Sequence, residues 1–389
     1  MIKQKILAVV IPSLLTVSGT ANALEVYNEG GNKLDLYGKA SGVRYISRES
    51  KDDGDKSYIN FGFKGETRIN EDISGYGQWE YKILANGSED INEINHNKTI
   101  LGIAGLKLGN MGSIDYGRNY GIIYNITSWS HKNPEFGGIA IRSDNFMQGR
   151  GSGFLTYNNT NFFGLVNGWD FAIQYQGQNN RPNLLLSNGH GYGISTSYNI
   201  PMGVGIAAAY SNSTFSSNQM MNHNRSVVMP MKRGHTWATA LKYDTDKFYL
   251  AATYSHTINE IPLTSKTITT KIPAIKPASD IPSDTSPHSS PNSSSSFIFS
   301  KTKKKIPYIP TFAKRGSTFE IVAQYKFDFG LSPSISYSET TIGGIATEKY
   351  ISLGATYSFN KKLTTYFNYK IDPMYSPGNI VAVGLVYQF

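Results

Sequence analysis

Runs of about ten residues in which polarity alternates at every second position constrain this chain more than any other feature. Over residues 318–329, Phe319, Ile321, Ala323, Tyr325, Phe327 and Phe329 share one face, and Glu320, Val322, Gln324, Lys326 and Asp328 the other. Ile351, Leu353, Ala355, Tyr357 and Phe359 oppose Ser352, Gly354, Thr356 and Ser358 in the same way. Leu363, Thr365, Phe367, Tyr369 and Ile371 likewise oppose Thr364, Tyr366, Asn368, Lys370 and Asp372. Successive strand side chains point to opposite sides, so a period of two means strands with one apolar and one polar face. A soluble β-sandwich alternates too. Segment length, and aromatic residues near the ends of the apolar faces, favour a transmembrane barrel with interfacial girdles. The polar faces carry charges and small residues, which suits a water-filled lumen.

The N-terminus points to export. Lys3 and Lys5 precede an apolar run over residues 6–17, followed by Ala21, Asn22 and Ala23, a small-residue cleavage pattern. That run is too short to cross ~30 Å of hydrocarbon. Residues 1–23 therefore read as a signal peptide, with the mature chain beginning at Leu24. No later apolar run reaches the ~20 residues of a membrane helix, and a mean hydropathy of −0.32 excludes a helical membrane bundle. An exported chain of this kind is soluble or an outer-membrane barrel, and the alternation selects the barrel. The absence of cysteine removes disulfides and thiolate metal sites.

Short turns at residues 70–72, 109–112 and 360–362 alternate with longer polar connections at 47–57, 85–98 and 211–234. Short turns at one rim and long loops at the other are the pattern of an outer-membrane barrel. Without its first 23 residues the 389-residue chain keeps 366, enough for about sixteen strands and a porin-sized lumen. The expected fold is thus all-β, a 16-stranded antiparallel transmembrane barrel over residues 24–389.

Two segments break the alternation. Residues 117–153 are bounded by Gly117 and Gly153 and carry Tyr120, Tyr124, Trp129, Pro134, Phe136 and Phe146. A connection this long is functional or disordered, and its aromatic content argues against disorder. It reads as an ordered loop that folds back onto something. Residues 261–315 are rich in Pro, Ser and Lys, a composition that cannot bury a core. From 266 to 315, nine Lys or Arg stand against Asp280 and Asp284, an excess of seven. The chain's +9 loses two with Lys3 and Lys5, so this one segment accounts for the basic balance and the remaining barrel is near neutral. A Lys cluster can mark nucleic-acid binding, but no interleaved aromatics or recognition helix accompany this one. A solvated external loop touching anionic lipopolysaccharide is the expected reading.

Catalytic and metal patterns are absent. The sequence holds no H-E-x-x-H, no G-x-S-x-G and no Walker loop, and its seven histidines show no i, i+4 ligand spacing. No cofactor or metal is expected, and the chain reads as a non-enzyme.

Several ordered blocks resemble one family. Residues 34–39 (Leu34 to Lys39), 61–67, 75–81, 115–121, 134–138 and 322–330, together with the terminal Val386, Tyr387, Gln388 and Phe389, are similar to the trimeric general porins of enterobacterial outer membranes (the OmpC, OmpF and PhoE group). The likeness spans nearly the whole chain except 261–315. It implies a homotrimer of sixteen-stranded barrels, each an aqueous pore for ions and small hydrophilic solutes. It also implies that residues 117–153 fold into the lumen as a constriction loop, and that Phe389 is a signal read by the outer-membrane assembly machinery.

The resemblance further implies a pore constriction in which loop acids oppose a ladder of basic wall residues. Glu135 matches one loop acid, and the second acidic position falls at His131. Lys39 and Arg150 match basic positions, two others fall at Asn60 and Ile100, and Glu80 matches a wall carboxylate. The expected consequence is a weaker transverse field and relaxed selectivity, unless Lys132 or Arg142 compensates. An imidazole is the side chain that titrates nearest neutrality, so His131 is expected to add positive charge to the constriction in mild acid. Glu89 and Arg118 match a pair that latches neighbouring subunits together. Three other readings stand beside the general-diffusion porin. A substrate-specific channel would show an aromatic ladder and saturable flux, and a barrel enzyme would cluster Ser, His and Asp at one rim. An adhesin or phage receptor would act through 261–315.

Overall fold

The computed structural model describes residues 24–88, 97–139, 142–220, 233–263, 311–374 and 378–389. The expected signal peptide, Glu89 and residues 264–310 of the basic segment lie outside the described residues. Sixteen strands follow one another around the barrel: β1 (Asn32–Ser47), β2 (Tyr58–Arg68), β3 (Ile73–Leu84), β4 (Lys98–Leu108), β5 (Ser113–Tyr120), β6 (Arg150–Asn159), β7 (Trp169–Gln176) and β8 (Gly191–Asn199). The second half comprises β9 (Val204–Thr214), β10 (Arg233–Asp244), β11 (Phe248–Ile258), β12 (Gly316–Tyr325), β13 (Leu331–Ile342), β14 (Ile345–Ser358), β15 (Leu363–Ile371) and β16 (Ile380–Gln388). Each is antiparallel to the next, and β16 returns to β1 with Lys39 opposite Gln388 and Ser47 opposite Ile380. That pairing closes the expected 16-stranded barrel and leaves no open edge, which a hydrocarbon environment demands. The short N-terminal strand Leu24–Glu29 pairs with β1 just beyond the end of β16.

The faces are inverted relative to a soluble protein. Phe319, Ile351, Leu353 and Phe367 are exposed, whereas Glu320, Gln324, Ser352 and Asn368 are buried. This is the dyad of a barrel with lipid outside and a polar interior. The strand expected over 318–329 stops at Tyr325. Phe327 and Phe329 sit in the following turn, where Gly330 adopts φ +94 and Phe327 N–H meets Leu331 O at 2.9 Å. The two aromatics therefore belong to the short-turn rim.

The expected interrupting segment is narrower than 117–153. Strand β5 continues to Tyr120 and β6 begins at Arg150, so residues 121–149 form the connection. Likewise β9 reaches Thr214 and β10 starts at Arg233, which trims the expected 211–234 loop. Cross-strand hydrogen bonding carries polar segments such as Ser211–Thr214 further than their composition suggests.

Candidate pore constriction

The connection between β5 and β6 enters the barrel on a floor of small residues. Ile122, Ile123 and Ile126, the last in a single helical turn α1 (Tyr124–Thr127), pack with Met147 against Ala172, Ala207, Ala209, Ala238 and Ala240. Larger wall residues would leave no volume for the loop. At Gly193 a Cβ would lie 2.7 Å from Ile122 Cγ2, and at Gly354 it would meet Pro134 Cδ at 3.0 Å, so both positions admit the loop because they lack a side chain.

Polar side chains then carry the loop around the inner wall. Ile122 N–H donates to Gln174 Oε1 at 2.8 Å, Asn125 to Ser195 Oγ at 3.0 Å, and Tyr249 O–H to Trp129 O at 2.7 Å. On β12, the buried Glu320 receives four donors. Gly138 N–H and Ile139 N–H reach Oε1 at 3.0 and 3.2 Å, Ser130 O–H reaches Oε2 at 3.3 Å, and Ser338 O–H reaches Oε1 at 3.4 Å. Asn368 on β15 accepts Glu135 N–H and Phe136 N–H on Oδ1 at 3.2 and 2.8 Å. Both limbs of the loop are thereby tied to β12, and its tip to β15. Hydrogen bonds to buried charged groups are the strong ones, so Glu320 is a major anchor.

The returning limb is held from above. Asp144 and Phe146 adopt φ 56 and 49, the left-handed region that costs a non-glycine residue roughly 1 kcal/mol or more. Asp144 receives a bidentate pair from Arg118 (2.7 and 3.1 Å) and a contact from Arg181 at 2.9 Å. Burial works against the Asp144 charge, yet these guanidinium groups hold its carboxyl below the usual range. Phe146 packs edge-on against Phe215 and Phe312, with centroids 5.5 and 5.6 Å away. Gln148 Nε2 and Thr236 O–H donate to Glu260 Oε2 at 3.2 and 2.8 Å. Full burial pushes the Glu260 carboxyl up to about 7, against those two hydrogen bonds.

Each position expected at the constriction can now be placed. Glu135, at the loop tip, accepts Tyr45 O–H at 2.5 Å and Tyr366 O–H at 2.6 Å. Glu80 accepts Tyr37 O–H and Asn60 Nδ2, both at 3.4 Å, and lies within electrostatic reach of Arg150 and Lys39. Lys39, Asn60, Glu80 and Glu135 thus share one opening between the loop tip and β1–β3. Ile100 differs. It falls at a β-bulge between β3 and β4 and is 3% exposed, so it offers the lumen little surface. His131 turns to the wall, its Nε2 3.7 Å from Glu320 Oε2. The imidazole thus lies against a buried wall carboxylate. Arg118 commits its guanidinium to Asp144, Thr99 O and Ser152 Oγ of its own chain.

Lys132 stands over the Tyr249 ring at 4.5 Å, in a recess of about 210 Å³ below the loop. Arg142 faces Glu348 and Glu320. Lys82 and Lys98, which the sequence reading did not single out, pair across β3 and β4 in line with Asn60. Their signal in the sequence was the alternation itself, because Lys82 follows Glu80 on the same polar face. At the C-terminus, Phe389 exchanges two backbone hydrogen bonds with Gly38 at 3.0 and 3.1 Å. Among the described residues no group of three or more His, Asp or Glu is arranged to hold a metal ion.

The family described as Gram-negative porin matches residues 29–280 and 292–389. Outer membrane protein F of Serratia marcescens is 41% identical to this chain, and outer membrane porin F of Escherichia coli K12 is 42% identical, each over the full length of both chains. A solved structure of Salmonella typhi OmpF, in complex with daunomycin, superposes with a TM-score of 0.74 at 37% identity, covering 94% of this chain and all of that one.

Proposed function

This chain belongs to the Gram-negative porins, general-diffusion channels of the outer membrane, and from that premise we propose that residues 121–149 are its constriction loop. One observation carries the reading. The loop is tied to the wall at Glu320 and Asn368 and its tip to Tyr45 and Tyr366, so the passage that remains would lie beside Glu135, along Lys39, Asn60 and Glu80. Ions and small hydrophilic solutes would cross there, past Glu135, Lys39, Arg150, Glu80 and Asn60. The chain acts as a passive channel and not as an enzyme, in keeping with relatives named as porins.

The assembly is a homotrimer in this proposal. On the outer surface of β1–β5, Leu34, Phe63, Trp79, Ile103 and Tyr116 line a groove floored by Gly65, Gly77 and Gly102. A second copy of the same surface would cover its exposed aromatics, Phe63 and Tyr116 being 44% and 60% exposed. The described flanks of the basic segment 261–315 lie at the long-loop rim, between Ile258 and Gly316, and we propose that anionic lipopolysaccharide would meet its excess of positive charge. Phe389 directly follows the closing strand, where the assembly machinery would read it.

Purified protein in a planar bilayer tests this. Stepwise current increases, with closures grouped in threes, are the expected result. Absence of conductance would overturn the channel and return the enzyme and adhesin readings to the front.

A further inference from the structure

The recess below the loop shares no residue with the proposed constriction. Trp129 and Lys132 hang from the loop as its roof, and Asp170 of β7, Asn199 of β8, and Lys242 and Asp244 of β10 stand at its sides. The strand positions adjoin the short turns, so the mouth faces that rim. Register sets Asn199, Gly205 and Lys242 in one row across β8–β10. Gly205 leaves the middle of that row bare. A Cβ there would lie 2.6 Å from Asn199 Oδ1 and 2.8 Å from Lys242 Cε, so both side chains lean over the glycine.

Opposite charges face this space without closing on each other. Among the described residues Lys132 and Lys242 make no ion pair and no side-chain hydrogen bond. Each ammonium stands on a ring instead, Lys132 Nζ 4.5 Å from the Tyr249 centroid and Lys242 Nζ 4.5 Å from that of Trp129. Asp244 acts electrostatically on both lysines, Asp170 on Lys242, and Lys326 of the turn after β12 on Lys132. Asn199 Oδ1 is a buried acceptor that no donor reaches. Uncommitted ammonium groups, two carboxylates and an unmet acceptor suit a solute that carries both signs of charge and N–H donors. We propose that this recess binds small zwitterions of dipeptide size. The solute's carboxylate would meet Lys132 and Lys242, and its ammonium would meet Asp244, Asp170 and Asn199 Oδ1. The recess, at about 210 Å³, is smaller than the ~300–1,000 Å³ of drug-sized ligand sites, which sets the size of the occupant. One charge contact at ~4 Å in water favours binding about fivefold, and more near the protein wall. The proposal needs the fold, and not the reading of 121–149 as the constriction.

Saturation-transfer NMR on the purified full-length protein in detergent micelles tests this, because it reads weak binding and not conductance. Alanyl-alanine should bind saturably. N-acetyl-alanyl-alanine lacks the ammonium and alanyl-alanine amide lacks the carboxylate, and each should bind about fivefold more weakly. Lys242→Met should weaken alanyl-alanine about fivefold without weakening the amide. Asp244→Asn should weaken alanyl-alanine by a similar factor without weakening the acetylated form. Lys247→Met, in an exposed pair with Asp328 outside the recess, should change nothing. Acetylated peptide binding as tightly as alanyl-alanine would mark a plain anion site and overturns the proposal. No saturable transfer would mark a recess that holds water alone, and overturns it too. If a variant fails to fold, the three peptides on the wild type still decide. Loss of conductance is a separate result that strikes the channel reading and leaves this binding intact.

Discussion

Where the loop lies, strands β8–β10 present Gly193, Ser195, Ala207, Ala209, Ala238 and Ala240 to the lumen. Across the opening, β1–β4 present Tyr37, Lys39, Asn60, Glu80, Lys82 and Lys98. The first wall is built to be covered and the second to meet solutes. Small side chains let a folded segment approach the backbone closely and fill space at interior packing density. Long charged ones keep water in the passage and project their charges into it. A single barrel thus carries a packed protein interior on one side and an aqueous surface on the other, although both obey the same alternation.

The contrast can be broken most strongly at Glu320. Glu320→Ala leaves the N–H groups of Gly138 and Ile139 and the hydroxyls of Ser130 and Ser338 without their shared acceptor. It should cost about 4 kcal/mol in urea unfolding. It should also raise single-channel conductance as the loop leaves its seat.

The roof of the seated side should respond to pH. Glu260 has an ordinary carboxyl value of 4.5 that burial raises to about 7 in the folded protein. A raised carboxyl favours the folded state fully below the unfolded value, and that contribution is lost as pH rises through the folded one. Stability should therefore fall between pH 5 and pH 8, by about 1.4 kcal/mol per pH unit over the interval between the two values. Glu260→Gln should shrink that fall, as read from unfolding midpoints at pH 5 and pH 8.

Smaller changes sharpen the same comparison. Ala238→Leu, at a position 1% exposed beneath the loop, overfills the seat and should cost about 2 kcal/mol. Lys39→Met, on the open wall, should stay within about 0.5 kcal/mol. Equal costs for the two variants would mean that the walls are not built differently.

Sequence alone determined the class of fold, because alternation is a local property. Side chains of adjacent residues must face opposite ways in a strand, and aromatic-tipped apolar faces with polar partners admit few architectures besides a barrel in lipid. The long aromatic connection also marked a segment that folds back onto the inner wall, and resemblance to a known family singled out Glu135, Lys39, Glu80 and Asn60 for the proposed passage. Tertiary structure decided what depends on register and on pairs distant in sequence. Lys82 joins Lys39 only because β2 sets Asn60 between them. His131 meets Glu320, and Asp144 meets both Arg118 and Arg181, only once the loop has crossed the lumen and returned. Ile100 leaves the lumen surface because a bulge lies beside it. A charge's identity is written in the chain, but the partner that neutralises it or leaves it free is fixed by closure of the barrel around the loop.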